Sequence, residues 1–420
     1  MLYICASKPA NMQYRTLYSK LEKHLQHKTY TILTGARQVG KTSLLKKLYY
    51  KLKDESEIVH FINLESKEIL KLLDERPDNV FNLINIIPKK RLEGKTDKRI
   101  YFLIDEIQYL KDPTNFLKYL YDEYEYNVKI IATGSSAFYI DNKFSDSLAG
   151  RKRIFQLYPL SFNEFLEFKN HQEINEEIGN IVSEPNYHSQ YGLNINKLFN
   201  EYLVFGGYPE IVLEKDFEEK KWLLNELKNS YLRKDITDAG IEKEHKFMMM
   251  VKIYASQIGN IVNKNEIANT IGLDNKTVEK YSHVLEKSFH IDLLKPYYRN
   301  VRKELTKMPK LFFNDVGLRN AILNKFEFPF YRDDKGALLE NFIYNQLRHK
   351  HDPYSIKYWR TTEQNEVDFV IEESFEQGYA LEVKWKCENF SNKKYKKFEN
   401  AYPNFPLSCL DSTNKEILIY

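Results

Sequence analysis

Two carboxylates and an ammonium are set into apolar, β-branched runs in EVDFVIEESFEQGYALEVKWK, residues 366–386. Side chains alternate along a strand, so Glu382 and Lys384 point to one side. Gly378 offers the turn that lays 366–371 beside 379–385, and a hairpin there sets Asp368 next to Glu382. Two carboxylates on neighbouring strands make an oxygen-ligand site for Mg2+ or Mn2+. A lysine on the same face can position or activate an attacking water, or stabilise charge on a phosphate. Glu340, on the helix-patterned ALLENFIYNQL upstream, adds a third acid. Buried unpaired carboxylates are expensive, so three in one cluster need a cation. On an edge strand, by contrast, Glu382 and Lys384 would be a surface pair with no chemistry to do.

A second constellation lies near the start. Gly35-Ala-Arg-Gln-Val-Gly40-Lys41-Thr42 fits G-x-x-x-x-G-K-[ST] in full. The glycines let the backbone wrap phosphates, and the N–H groups at the following helix start point at them. Lys41 is spaced to reach the β- and γ-phosphates and Thr42 to hold Mg2+, with Ser43 next on the first turn. ATP and Mg2+ are therefore the expected cofactors. In Ile100-Tyr-Phe-Leu-Ile-Asp-Glu106, apolar residues drive a buried strand and two acids emerge at its C-terminal end, where open α/β sheets bind ligands. Asp105 is expected to hold Mg2+ through water and Glu106 to polarise the attacking water. Ile130-Ile-Ala-Thr-Gly-Ser-Ser136 ends another buried strand in a polar cluster. Thr133 or Ser135 is a candidate γ-phosphate sensor there, although ordinary turn chemistry accounts for Gly-Ser-Ser equally well.

The elements around these residues follow from their periodicity. TYTILT is β-prone, and SLLKKLYYKL places Leu44, Leu45, Leu48 and Leu52 on one helical face. IVHFINL, IYFLIDE and VKIIATGSS supply further strands, and their alternation with helical segments predicts a parallel α/β sheet. The character changes near Pro159. Residues to about 290 are mainly helical, 289–313 alternates like a hairpin, and a helix followed by strands begins near Gly336. The expected domains are 1–158, 159–238, 239–330 and 331–420.

In the middle, NKNEIANTIGLDNKTVEKYSHVLEKSFHI (263–291) reads as helix, turn at Gly272, helix, with Asp274 or Asn275 able to cap the second. With the hairpin after it, this predicts a winged helix. A DNA binder would present Asn275, Lys276, Thr277 and Lys280 to the major groove and Arg299, Arg302, Lys303, Lys307 and Lys310 to phosphates. A winged helix that only packs against protein is the alternative, and Glu279 and Glu286 oppose DNA.

The 420 residues carry a net charge of only +4, so bulk electrostatics does not announce a nucleic-acid binder. No apolar run approaches the roughly 20 residues of a membrane span. The N-terminus lacks the basic region and length of a signal peptide, so a cytoplasmic protein is expected. Cys5, Cys387 and Cys409 are scattered and odd in number, and predict neither a disulfide framework nor a zinc site.

The nucleotide residues resemble the AAA-type P-loop ATPases over about residues 12–160. SLAGRKRIFQLYPLSFNEF (147–165) and VFGGYPEIV (204–212) are similar to one prokaryotic subgroup that carries the C-terminal domain of unknown function 4143. In AAA-type enzymes an arginine often reaches a neighbouring subunit's phosphate. The resemblance makes Arg151 or Arg153 that residue, or an in-chain sensor, with a surface salt bridge as the alternative. It also implies a homo-oligomer or a partner protein. Glu340, Asp368, Glu382 and Lys384 resemble the restriction-endonuclease-like core, a helix Glu followed by Asp and Glu-x-Lys, although no proline precedes the Asp. The expected fold is thus α/β: an AAA-type parallel sheet, a helical and winged-helix region, and a small restriction-endonuclease-like domain. The expected function is an ATPase that regulates a DNA-directed, nuclease-like module, with Mg-dependent phosphodiester cleavage as its chemistry. The rival expectation is a nucleotide-switched DNA- or protein-binding chain whose nuclease fold cuts nothing.

Overall fold

The structure, a computed structural model, describes residues 13–134, 148–184, 191–298, 307–412 and 418. It divides into two compact units: Met1–Tyr158 with Lys287–Phe289, and Pro159–Glu286 with His290–Tyr420.

The first unit is built on β1 (Tyr30–Thr34), α1 (Lys41–Asp54), β2 (Ile58–Asn63), β3 (Ile100–Asp105), α2 (Pro113–Tyr124), β4 (Val128–Gly134) and β5 (Lys152–Gln156). The strands form one sheet in the order β2-β3-β4-β1-β5, with every neighbouring pair parallel. Parallel strands covered on both faces read as continuous apolar runs. The wholly buried β1, β3 and β4 do so. Leu44, Leu45, Leu48 and Leu52 form the buried face of α1, at the spacing a 3.6-residue period requires. This is the fold expected of a P-loop ATPase. All the strands run the same way, so the C-terminal ends of β1, β3 and β4 gather at one end of the sheet.

The second unit begins with α3 (Phe162–Phe168), α4 (Gly192–Phe205), α5 (Phe217–Asp238) and α6 (Glu244–Ser256). The helix–turn–helix follows as α7 (Lys264–Ile271) and α8 (Asn275–Lys287), with Gly272 in the left-handed region between them. Its hairpin is the antiparallel pair β6 (Ile291–Leu294) and β7 (Lys310–Phe313). Next come α9 (Val316–Leu323), α10 (Lys335–Lys350), β8 (Ile356–Arg360), β9 (Glu366–Ser374), β10 (Gln377–Lys384) and β11 (Leu407–Asp411). The last four strands form a sheet in the order β11-β10-β9-β8, with β10 and β11 parallel and the other pairs antiparallel.

The segments that the sequence separates between 159 and 420 share a core. One cluster runs from Leu160 and Phe162 through Phe199, Leu203, Phe312 and Phe342 to Phe369, Leu381 and Leu410. The side-chain amide of Asn341 on α10 accepts from the Phe313 N–H (2.8 Å) and donates to the Phe313 carbonyl (2.7 Å), so it pairs with β7 as a neighbouring strand would. Among the described residues no helix is long and apolar enough to cross a membrane.

Candidate functional site

The turn after β1 is shaped by its glycines. Gly35 has φ +144°, and a Cβ there would lie 2.1 Å from the Leu157 carbonyl oxygen. Gly40 caps α1 with φ +97°. Lys41 is buried, and its Nζ donates to the Gly35 and Ala36 carbonyls at 2.9 and 2.7 Å. Burial lowers its pKa to about 8, against the pull of Glu106 and Asp105 and with the push of Arg37. Thr42 Oγ1 donates to Asp105 Oδ2 at 2.8 Å, and Thr133 Oγ1 donates to Asp105 Oδ1. Thr133 Oγ1 in turn accepts the Glu106 N–H at 3.0 Å. The ends of β3 and β4 and the first turn of α1 are thereby tied into one polar chain. Ser43 is exposed on that first turn, and Ser135 lies outside the described residues.

Glu106 is half-buried at φ 59°, ψ 51°, left-handed backbone that a non-glycine residue rarely adopts. Such strain concentrates at working sites. The Gln108 side-chain amide donates to its Oε2. Arg15 is a second supporting residue that the motif does not reveal. Buried, it donates from Nη1 to the Val39 carbonyl (2.7 Å) and from Nη2 to the Tyr158 carbonyl (2.6 Å), bracing the glycine turn from behind. Thr42 and Asp105 offer hard oxygens within hydrogen-bond distance of each other, a donor set that fits Mg2+.

Arg151 is not part of this arrangement. Its carbonyl accepts from the N–H of Tyr30, the first residue of β1, so it stands at the opposite end of the sheet from the glycine turn. Its guanidinium pairs with Asp122 of α2 at 2.7 Å. The expected in-chain sensor role for Arg151 is therefore corrected: a five-residue strand, about 16 Å, separates it from the turn. Arg153 is exposed on β5, its guanidinium 5.2 Å from the Phe155 ring.

In the second unit, β9 and β10 pair with Leu381 opposite Phe369, a register that sets Glu382 against Asp368. Glu382 and Asp368 are buried, and Glu340 on α10 lies close enough to interact with Asp368. Lys384 Nζ pairs with Glu382 Oε1 at 2.5 Å. Burial and the neighbouring Asp368 push the Glu382 carboxyl up. Burial opposes the Lys384 ammonium, but Asp368 and Glu382 outweigh it and raise its pKa. The sequence residues thus do converge.

The cation among them was not foreseen. Lys310 Nζ, at the start of β7, lies 2.9 Å from Glu340 Oε1, 2.6 Å from Glu366 Oε1 and 3.2 Å from Asp368 Oδ1. Burial disfavours its charge, yet those three acids hold its pKa well above the ordinary value. Two expectations are corrected. Lys310 cannot touch DNA phosphates, because its side chain is 1% exposed. Glu340, Asp368 and Glu382 do not fit a divalent ion as they stand, because an ammonium already sits between the first two. Among the described residues no cluster of three or more His, Cys, Asp or Glu side chains is arranged to hold a metal.

On the helix–turn–helix, Asp274 caps α8 by accepting from Thr277 N (2.9 Å) and Thr277 Oγ1 (2.6 Å). Asn275 is tied to Asn265 and Glu279 to Lys264, while Lys276 and Lys280 are exposed. Lys307 is also exposed; Arg299, Arg302 and Lys303 lie outside the described residues. The cysteine expectation needs correcting too. Parallel pairing of β10 with β11 brings Cys387 and Cys409 together in a disulfide, their Cα atoms 6.3 Å apart. Cys5 lies outside the described residues.

Family models match three stretches of the chain: an AAA domain over residues 27–166, a domain of unknown function (8612) over 196–328, and another (4143) over 335–420. An uncharacterized protein of Haemophilus influenzae is 28% identical over 362 residues, covering 83% of this chain and 81% of its own. An uncharacterized protein of Methanocaldococcus jannaschii is 26% identical over 401 residues, covering 93% and 81%. Among solved structures, Cdc6p from Pyrobaculum aerophilum overlaps with TM-score 0.31 at 12% identity, covering 76% of this chain and 98% of that one.

Proposed function

We propose that this chain, which carries an AAA domain at 27–166 and the domain of unknown function 4143 at 335–420, binds and hydrolyses ATP and uses that cycle to control its C-terminal module. The observation that carries the reading is the polar chain Thr42–Asp105–Thr133–Glu106 beside a buried Lys41. In it, the backbone of 35–40 and Lys41 bind the phosphates, Thr42 and Asp105 hold Mg2+, Thr133 reports the γ-phosphate and Glu106 orients and deprotonates water. Bound Mg2+ would supply charge neutralisation on the phosphate oxygens.

Lys41→Ala tests this directly. Wild type is expected to gain about 2.7 kcal/mol of stability at a hundredfold excess of ATP over Kd, and the variant none. An unchanged thermal shift would sink the nucleotide assignment. The same lysine sets a pH dependence. Its free pKa is lowered to about 8, and phosphate oxygens favour its ammonium, so affinity should be flat below that pH. Above it, affinity should fall by up to about tenfold per unit. Calorimetry at pH 7 and pH 9 reads the difference, and a flat profile would remove Lys41 from the phosphates.

For the C-terminal module two readings stand: a DNA-directed nuclease, or a nuclease-like fold that binds DNA or protein without cutting. Lys310 among Glu340, Glu366 and Asp368 favours the second. Full-length protein with Mg2+ or Mn2+, with and without ATP, is expected to bind DNA without cleaving it. Cleavage lost in Asp368→Ala would restore the first reading.

A further inference from the structure

We infer that the Lys310 ammonium is the resident cation of the C-terminal carboxylate cluster, and that the lysine alone keeps a divalent metal out. This rests on the non-cleaving reading of the module and adds a cause for it. An ammonium has three N–H donors. Here each finds one carboxylate oxygen, on Glu340, Glu366 and Asp368. The second oxygens of two of these acids are also engaged: Asp368 Oδ2 accepts the Val383 N–H at 2.8 Å, and Glu366 Oε2 pairs with Arg360 at 3.1 Å. The Tyr358 ring faces the ammonium from 5.7 Å.

The lysine is delivered to this point by fixed backbone. Lys310 is paired with Leu294 on one side and bridged to Ile261 on the other. Gly259, at φ +73°, walls the cluster, and a Cβ there would lie 2.8 Å from Glu340 Oε2. One further observation points to a cation-binding architecture beneath. Glu382 is 2% exposed; Lys384 and the Tyr395 hydroxyl stand against its carboxylate, and its Oε2 still lacks a hydrogen-bond partner of good geometry among the described residues. Removing the ammonium would leave acids on α10, β9 and β10 facing one small space, with oxygen donors suited to Mg2+ or Mn2+. Like charges exclude each other in such a space, so ammonium and divalent ion are alternatives.

The test is a Mn2+ titration of the full chain, followed by electron paramagnetic resonance of free Mn2+, without nucleotide or DNA. Wild type and Asp368→Asn are expected to titrate alike. Lys310→Met should bind one additional Mn2+ per chain, lost again in Lys310→Met/Asp368→Asn, while Lys310→Arg should gain none. Mn2+ should also raise the melting temperature of Lys310→Met and leave that of Lys310→Arg unchanged. A wild-type site that Asp368→Asn removes would overturn the inference, as would a folded Lys310→Met with no added site. If Lys310→Met does not fold even with Mn2+, the comparison of wild type with Asp368→Asn still decides. None of these outcomes depends on DNA binding or ATP turnover, so failure here is separate from failure of the functional reading.

Discussion

Glu106→Gln is expected to bind ATP as wild type does and to hydrolyse it about 10²–10⁴ times more slowly. The amide is nearly isosteric with the carboxylate. Its oxygen can still accept from the Gln108 side chain, and the backbone N–H keeps its bond to Thr133. The Thr42–Asp105 contact is untouched. What disappears is the capacity to take a proton from water as it attacks. Calorimetric affinity and single-turnover hydrolysis, measured on the same preparation, separate the two effects. Turnover at the wild-type rate would strip Glu106 of its proposed part.

The second large effect is on stability. Arg319→Met should cost the C-terminal unit about 3–5 kcal/mol. Arg319 is fully buried on α9. Its Nε donates to the Ala255 carbonyl at the end of α6 (2.7 Å), and its Nη1 to Asp334 Oδ2 (2.5 Å) and Asn320 Oδ1 (3.3 Å). Methionine fills much of the volume but leaves the buried carbonyl without this donor and Asp334 with less positive charge nearby. Urea titration reads the loss, and a change within about 0.5 kcal/mol, the range of ordinary surface substitutions, would refute it. A pH arm checks the cause. Burial alone would raise the Asp334 carboxyl, but Arg332 and Arg319 outweigh it and hold it well below its usual range. Its stabilisation is therefore complete above about pH 4 and is lost as pH falls towards the depressed value. The variant should show less of that acid-dependent loss.

What could be read from the sequence was local. The glycine turn is one contiguous pattern, and its strand–turn–helix context spans about two dozen residues. The Asp368–Glu382 pairing follows from strand alternation and a turn near Gly378, all inside one hairpin. The parts that escaped are long-range. Arg15 reaches carbonyls 24 and 143 residues away, and nothing in its neighbourhood announces either. Lys310 meets Asp368 across 58 residues. In a lysine-rich hairpin, its charge suggested phosphate contact, while its burial depended on where β7 packs. The disulfide likewise depends on β11 returning parallel to β10, which two scattered cysteines cannot signal.

Asn341 carries one more consequence. By taking both backbone groups of Phe313, it completes a strand that lies outside the 335–420 stretch. A stretch recognised as a family is what evolution copies, and copying presupposes that the piece can travel. This one travels incomplete. A polypeptide of 335–420 alone would arrive with an amide, and with the acids that Lys310 neutralises, all facing a missing neighbour. Any recombination that moved it to a new host would have to bring β7 along, or find there another strand with a lysine in that place.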